Sequence, residues 1–596
     1  MKNRYHTLII GTGCAGFNAA DRLCDFGIKD IAIITEGRFM GTSRNTGSDK
    51  QTYYKLSLCG SDGDSVREMA DTLYSGGGVM GEHALCEAAY STRCFMRLVE
   101  LGVPFPTNEF GEYAGYKTDH DPRTRATSCG PLTSKYMTEA LERSVLSKGI
   151  EIVDFQRVIK ILTEDDTVTG VACANTVTGE LSVIACQNVI LCTGGPAGIY
   201  KNTVYPESQH GATGLAIDAG ATLSNMEEWQ YGIASTKFRW NLSGTYQQVL
   251  PRYISVDENG SEHEFLYEAL GEESLSLIFL KGYQWPFDTR KTEGSSKVDI
   301  LVAEQIKKGN KIYLDFTKNP KGLENGFDAL SEEAYTYLEK SEALFGTPIE
   351  RLAKMNMGAI ELYADHGIDL YSEYLEIAVC AQHCNGGVAV DEHWQSDVEG
   401  LYVAGEAAGT FGVYRPGGSA LNSTQVGSLR AAEHISKKGD AVRPIPNYTL
   451  PKIQYGASNL LQIREELQIE MSRVADFDRS TDGMKTLFDK VDKLCEGFFD
   501  IAVVDSISQV AELFKLYDMI LTQRSTLSAM LCSAAELGTH GSAFVDRKPD
   551  QNQGQSRSTR TLTKKSVSYI DSISPMPTPE LWFETLLSRK KKVMSK

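Results

Sequence analysis

Long apolar runs are missing from this sequence. No stretch of about eighteen apolar residues occurs, so a membrane-spanning helix is not expected. Positive charge is short as well: 60 Lys and Arg stand against 78 Asp and Glu, a formal net charge of -18. A nucleic-acid binder needs basic surface against phosphate, and this composition argues against one. The tail SRKKKVMSK is basic, but a short terminal charge run reads as a solvated end. The 13 cysteines form no Cys-x-x-Cys pair and none of the usual ferredoxin spacings. That excludes a disulfide framework and an iron–sulfur cluster ligated by this chain, and suggests reduced thiols in a cytoplasmic protein. No apolar core with a small-residue cleavage site follows the start MKNRYHTLIIGTG, so no secretory signal is expected. What is present is a globular balance, 41% apolar and 23% charged, in 596 residues. That length needs two to four domains.

The first fifty residues carry the sharpest signal. HTLII is an apolar run that ends at Gly11, and Gly13 and Gly16 complete G-T-G-C-A-G. A helical stretch, Phe17 to Phe26, follows, then the second strand IAIIT and Glu36, twenty residues after Gly16. Each glycine has a physical reason. Gly11 permits the tight turn, Gly13 lets a pyrophosphate approach the backbone, and Gly16 allows close packing of helix on strand. The helix N-terminus offers unpaired N–H groups to phosphate, and Glu36 can accept from both ribose hydroxyls. The pattern predicts a dinucleotide site, with NAD and FAD both open on this segment alone.

Two later stretches carry similar elements. VTGVACANTVTGELSVIACQNVILCTGGPAGIY alternates like β-structure and ends in a buried strand and CTGG. GLYVAGEAAGTFGVYRPGGSALNSTQVGSLRAAEHI runs from a strand, Leu401 to Ala404, through a glycine-rich loop into a helix from about Ser419. Together with LAIDAGATLSNMEEWQ, KIYLDF and NGGVAVD, these pieces stand in order over most of residues 1–440. In them the chain resembles the flavoprotein subunit family of succinate dehydrogenase and fumarate reductase, with L-aspartate oxidase and the adenylylsulfate reductase flavoprotein as relatives. The resemblance selects FAD over NAD.

It also implies an α/β architecture: a Rossmann-like FAD-binding domain, an inserted α+β capping domain and a helical C-terminal domain. The expected boundaries are 1–225 and 385–440 for the FAD-binding halves, 226–384 for the cap and 441–596 for the helical domain. Helical periodicity in LLQIREELQIEMSRVADF and VAELFKLYDMILTQRSTLSAMLCSAAE supports the last of these. The polar stretch VDRKPDQNQGQSRSTRTLTKK reads as an exposed loop or strand edge. The residues expected to hold FAD are Gly11, Gly13, Cys14, Ala15 and Gly16 in the first turn, then Glu36 and Gly37. Thr42, Ser43 and Gly47 follow in the next loop. Thr193, Gly194, Gly195, Gly405 and Glu406, and Ser419, Ala420 and Leu421 at the last helix, complete the set.

The departures from the family matter as much. Respiratory members attach FAD through a histidine in an S-H-T segment. Here GTSRNTGSDKQ places Arg44 there, so non-covalent FAD is expected. The Q-F-H-P-T histidine becomes Gly232 in QYGIA, and the H-Y-T-M-G-G histidine becomes Gln382 in QHCNGG, with His383 next to it. The helix KVDILVAEQIKKG lacks the proton-donating arginine, while Arg415 in VYRPGGSAL is retained. CAQHCNGG could also be a metal loop, a Cys380–Cys384 redox pair, or a segment whose histidine is merely packed. The catalytic candidates are Arg415, Gln382, His383 and Arg252, with Asn385 beside them; Arg239 is a further cationic candidate. Trp229, Tyr231, Trp240 and Tyr246 hint at a flat substrate or at a plain core. No metal site is expected.

The function so implied is hydride transfer between flavin and a carbon of an activated C=C or C–C bond in a small organic acid or enone other than fumarate. Amine- or sulfur-centred flavin chemistry is a second reading. An electron-transfer flavoprotein subunit without a pocket is a third. The reductant must come from outside the chain, a separate iron–sulfur or ferredoxin-type protein being one source.

Overall fold

The computed structural model describes residues 2–61, 63–324, 326–439, 443–550 and 557–594. Its first sheet is built around the fully buried run Ile31–Ile34 and the strand Arg4–Ile10, which pair in parallel. Apolar runs without alternation suit strands covered on both faces. Glu151–Val153 extends the sheet beyond Ile31–Ile34, and Leu181–Leu191 lies in parallel on the other side of Arg4–Ile10. The long strand Leu181–Leu191 serves two neighbours. Its first half pairs antiparallel with Thr167–Asn175, which continues to Gln156–Glu164. Its last residues pair in parallel with Leu401–Val403, more than two hundred residues away. The C-terminal ends of the five parallel strands therefore open on one side, where ligands of such sheets bind.

A second sheet has six antiparallel strands, all within 226–384. Its order is Trp240–Asn241, Trp229–Ser235, Leu375–Cys384, Lys311–Asp315, Arg252–Val256, Glu262–His263. The cap aromatics Trp229, Tyr231, Trp240 and Tyr246 are buried in its core. After residue 443 come the helices Leu460–Val474, Thr481–Ile501 and Val510–Glu536, and near the end a fourth, Phe583–Met594. The third helix joins two cores, since Leu516 and Ile520 pack with the cap residues and Leu521 and Ala529 with the first sheet.

The C-terminal region is not wholly helical. Arg557–Leu562 and Val567–Ser572 form an antiparallel hairpin that pairs with Leu223–Ser224. The β-branched Thr559 and Thr561 in RSTRTL favour a strand, and they are buried on one face while Ser558 is buried on the other. The expected boundary at 440/441, and residues 551–556 of the expected polar loop, lie outside the described residues. Among the described residues no helix is long and apolar enough to cross a membrane.

Candidate active site

A cleft with room for about 290 Å³ of water-molecule centres opens at the C-terminal strand ends, lined by Ile10, Ile34, Cys192 and Ala404. The glycine turn forms its floor. Gly11 has φ +110°, and a Cβ there would lie 2.4 Å from the Cys192 carbonyl oxygen. At Gly16 a Cβ would stand 2.0 Å from the Gly11 carbonyl oxygen, so the helix Cys14–Asp25 can approach the turn only without that side chain. Gly13 caps the helix with no side-chain bond of its own. Cys14 N–H donates to Ser43 Oγ at 3.2 Å. The first turn thus presents backbone amides and a partial positive charge to the cleft.

Beyond the turn stands Glu36. Burial disfavours its charge, but Arg157 and Lys515 outweigh that and hold the carboxyl down at about 2. Arg157 Nη1 lies 2.5 Å from Glu36 Oε1 and Lys515 Nζ 3.4 Å from Oε2. Nearby His210 is pushed down to about 3 by burial and by Lys515, which keeps it neutral. The acid is therefore a fixed carboxylate at every physiological pH. Glu36, Arg157 and His210 all line the cleft.

The other part of the cleft is lined by Gly47, Gln51, Tyr205, Asn241, Gln382 and His383. Successive strand residues normally face opposite sides. Here Gln230 is opposite His383 and Tyr231 opposite Ala381, so Gln382 is the extra residue of a β-bulge. The bulge turns both Gln382 and His383 towards the cleft, a re-aiming common beside active sites. Gln382 Nε2 donates to the Gly232 carbonyl at 2.8 Å. His383 Nδ1 bonds Asn385 Oδ1 at 3.0 Å, while Asn385 Nδ2 donates to Gly412 O at 2.7 Å. Arg415 stands behind this pair: Nε donates to Asn385 Oδ1 at 3.3 Å and Nη1 to Ser419 Oγ at 3.5 Å. Burial and the Arg415 charge push His383 well below the usual imidazole range, so it is neutral. Burial likewise lowers Arg415 to about 10.

Glu406 completes the site from the glycine-rich loop. It accepts from Tyr205 Oη and from Cys384 N–H, the latter at 3.0 Å, and burial raises it to about 7. Trp285 takes the space next to Gly232: a Cβ at residue 232 would lie 2.9 Å from its indole Cε2.

The cleft meets the requirements of a dinucleotide. Seven buried polar atoms of its lining residues have no protein partner: Thr42 Oγ1, Gln156 Oε1, Arg157 Nε, Thr193 Oγ1, Asn241 Oδ1, Gln382 Oε1 and His383 Nε2. Buried polar groups are almost always bonded, so a row of orphans marks a polar ligand. Amides at one helix start, a fixed carboxylate and a separate polar end match a group with a pyrophosphate, ribose hydroxyls and a polar ring system. FAD has these parts.

Of the residues expected to hold FAD, Gly11, Gly13, Ala15, Glu36, Gly37, Thr42, Ser43, Gly47, Thr193, Gly194, Gly405, Glu406, Ala420 and Leu421 line the cleft. Cys14, Gly16, Gly195 and Ser419 stand behind it. A Cβ at Gly195 would meet Glu406 Oε1 at 2.4 Å, and Ser419 Oγ donates to Pro416 O at 2.7 Å. Arg252 stands apart, in the cap sheet: it pairs with Asp315 at 2.7 Å and lies 3.6 Å from Glu264. It does not line the cleft, and its place is structural. Arg239 donates to the Tyr205 carbonyl at 3.2 Å. Arg44 turns to Glu142, 2.8 Å away. Cys380 and Cys384 are buried free thiols, both raised by burial, Cys380 to about 12. Among the described residues no group of three or more His, Cys, Asp or Glu is placed to hold a metal ion.

Sequence reasoning passed over several lining residues. Tyr205, Gln209 and His210 precede the short helix Thr213–Asp218, and the polar run SQHG was their signal. Arg157 and Lys515 lie in unrelated segments and meet only in the fold.

Known proteins resemble this chain in sequence and in fold. One of the fumarate reductase (CoM/CoB) subunits of Methanothermobacter marburgensis is 26% identical over 567 residues, covering 91% of this chain and 95% of that one. An L-aspartate oxidase of Agrobacterium fabrum is 26% identical over 75% of each chain. Among solved structures, a variant of E. coli quinol fumarate reductase FrdA superposes with a TM-score of 0.70 at 18% identity, over 97% of this chain and 98% of that one. Residues 6–421 match the model of the FAD binding domain family. With that match over more than half its length, the chain belongs to the FAD-binding domain family, binds FAD and falls in the class of FAD-dependent oxidoreductases.

Proposed function

We propose that this protein is an FAD-dependent oxidoreductase of the fumarate reductase type that acts on an activated C=C or C–C bond of a small organic acid or enone other than fumarate. FAD, when bound, supplies hydride chemistry at its ring. The chain's own part is to hold the FAD non-covalently, to place Gln382 and His383 beside the reacting carbon, and to keep Arg415 fixed for an anionic oxygen. One observation carries the reading. A single cleft joins the glycine turn to Gln382 and His383, and unpartnered polar atoms remain at both ends. An electron-transfer subunit without substrate would need that second end filled by side chains.

The choice against fumarate rests on the site's donors. Gly232 and Gln382 stand where two histidines are expected, and Ser295 to Lys307 offers no arginine. Amine oxidation is a second reading, favoured by the likeness to an L-aspartate oxidase. The electron donor is proposed to be a separate protein, in keeping with a relative that is itself named as one subunit of a fumarate reductase. The test is anaerobic: reduce the bound flavin with light and offer a panel of enoates, enones and fumarate. At least one enoate or enone should reoxidise the flavin at least about a hundredfold faster than fumarate, as loss of general acid–base groups predicts. Equal or faster reoxidation by fumarate would overturn the proposal, as would a flavin that no compound in the panel reoxidises.

A further inference from the structure

Three orphaned atoms lie at the Gln382 end, Asn241 Oδ1, Gln382 Oε1 and His383 Nε2, and the polarity of the last two is fixed by their neighbours. Gln382 and His383 are each 8% exposed. The orientation of the Gln382 amide is fixed, because its Nε2 donates to Gly232 O; its Oε1, with no partner, is an acceptor. The tautomer of His383 is fixed in the same way. Asn385 Nδ2 is spent on Gly412 O, so Asn385 Oδ1 is the atom that faces Arg415 and the imidazole. An oxygen there accepts, so His383 Nδ1 carries the hydrogen and Nε2 is left with its lone pair and no partner. Glu406 Oε1 lies 3.8 Å from Nε2, beyond hydrogen-bond length, and itself accepts from Tyr205 and Cys384.

Dicarboxylate sites need donors towards four oxygens. This one offers acceptors at Gln382 Oε1 and His383 Nε2 and, behind them, Arg415, bonded through Nε to Asn385 and through Nη1 to Ser419 with its guanidinium 5.6 Å from the Phe411 ring centre. We infer that the site takes a monoanion bearing a hydrogen-bond donor, a hydroxyl or an amine, on the carbon next to its anionic group. The donor bonds the Gln382 Oε1 and His383 Nε2 pair, and Arg415 takes the anion. A second carboxylate would face two lone pairs and is rejected. This inference rests on the proposed placement of substrate at this end of the cleft and adds its chemical class. The bulge at Gln382 is the device, since without it only one of the two acceptors could reach the cleft.

The experiment is equilibrium titration of the FAD-loaded protein, read by flavin absorbance, with lactate and alanine as donor-bearing probes. Propionate serves as the same-sized probe without a donor, and malonate and fumarate as dianions. A buried acceptor left unpaired is worth roughly tenfold in affinity. Lactate or alanine should therefore bind at least about tenfold tighter than propionate, with malonate and fumarate weaker still. Which of the two binds tighter separates a hydroxyl from an amine ligand. Gln382→Leu and His383→Phe should each reduce that preference to under about threefold, read on protein that still carries FAD. Propionate or a dianion binding as tightly as lactate and alanine would overturn the inference, as would no binding by any probe. Loss of FAD from the two variants would overturn it too, by assigning the acceptors to the cofactor's ring. A flavin reoxidised by an enoate while the donor preference is absent sinks this inference alone; a flavin inert to every acceptor sinks the functional reading beneath it.

Discussion

Glu36→Gln removes one negative charge and almost no volume, and the structure says what should follow. The carboxyl is displaced from 4.5 to about 2 by Arg157 and Lys515 acting against burial, which is worth about 3 kcal/mol of pairing. Arg157 is buried, with its Nε already unpartnered, so the amide leaves a buried guanidinium poorly matched. Breaking such a pair from one side costs about 3–5 kcal/mol of folding. If Glu36 also accepts from a ribose hydroxyl, FAD loses a bond to a charged group, about 1.5–3 kcal/mol, or roughly ten- to a hundredfold in Kd. The assay is quenching of FAD fluorescence as apoprotein is titrated. The double variant Glu36→Gln with Arg157→Met recovers folding while affinity stays low, which separates the two effects. Because the folded value lies below the unfolded one, the pair's stabilisation is fully present above about pH 4.5 and fades as pH falls towards about 2. FAD affinity should therefore be flat from about pH 5 to 8. An unchanged Kd in a natively folded Glu36→Gln protein, or wild-type affinity that already falls between about pH 6 and 5, would refute the reasoning.

Other outcomes follow from single contacts. Gly16→Ala should abolish FAD retention, since its Cβ would lie 2.0 Å from a backbone oxygen; a variant that purifies with full flavin would show that helix and turn can separate. His540 pairs with Glu228 at 2.8 Å and is raised to about 9, because Glu228's attraction overcomes burial. That stabilisation is fully present below about pH 6.5 and is lost as pH rises through about 9. His540→Ala should cost about 3–5 kcal/mol by leaving Glu228 unpaired, and chemical denaturation at pH 7 against pH 10 should show the penalty shrinking. FAD should leave intact on denaturation, since Arg44 is turned to Glu142; flavin that precipitates with the protein would contradict this. Arg415→Lys keeps charge but loses the planar fork, so it should retain FAD and lose at least about tenfold in kcat/KM, and normal turnover would assign Arg415 to structure.

Local physics made much of this molecule readable from its sequence. An apolar strand, three glycines at fixed spacing and an acid twenty residues on are short-range features, and Gly11, Gly13 and Glu36 line one cleft because strand, turn and helix are contiguous. Long-range pairings were not readable. The bulge at Gln382 exists only in the register between Trp229–Ser235 and Leu375–Cys384, some 150 residues apart, so nothing local announces that both Gln382 and His383 face the cleft. The same holds for Lys515 reaching Glu36 from the helix Val510–Glu536. Arg252 misled because an arginine in a basic, aromatic stretch looks free until Asp315 on the neighbouring strand is seen beside it. Trp285 filling the space at Gly232 could not be inferred either, since a missing side chain leaves no mark of what replaces it.

The most direct measurement is a crystal structure of the FAD-loaded protein. The pyrophosphate should lie on the amides after Gly13, a ribose on Glu36, and the isoalloxazine at the Gln382 end with Arg415 behind Asn385. Open space should remain between that ring and His383 Nε2. An isoalloxazine placed away from Gln382 and His383, or protein side chains filling the space above it, would contradict the assignment of this cleft as a flavin site with room for substrate.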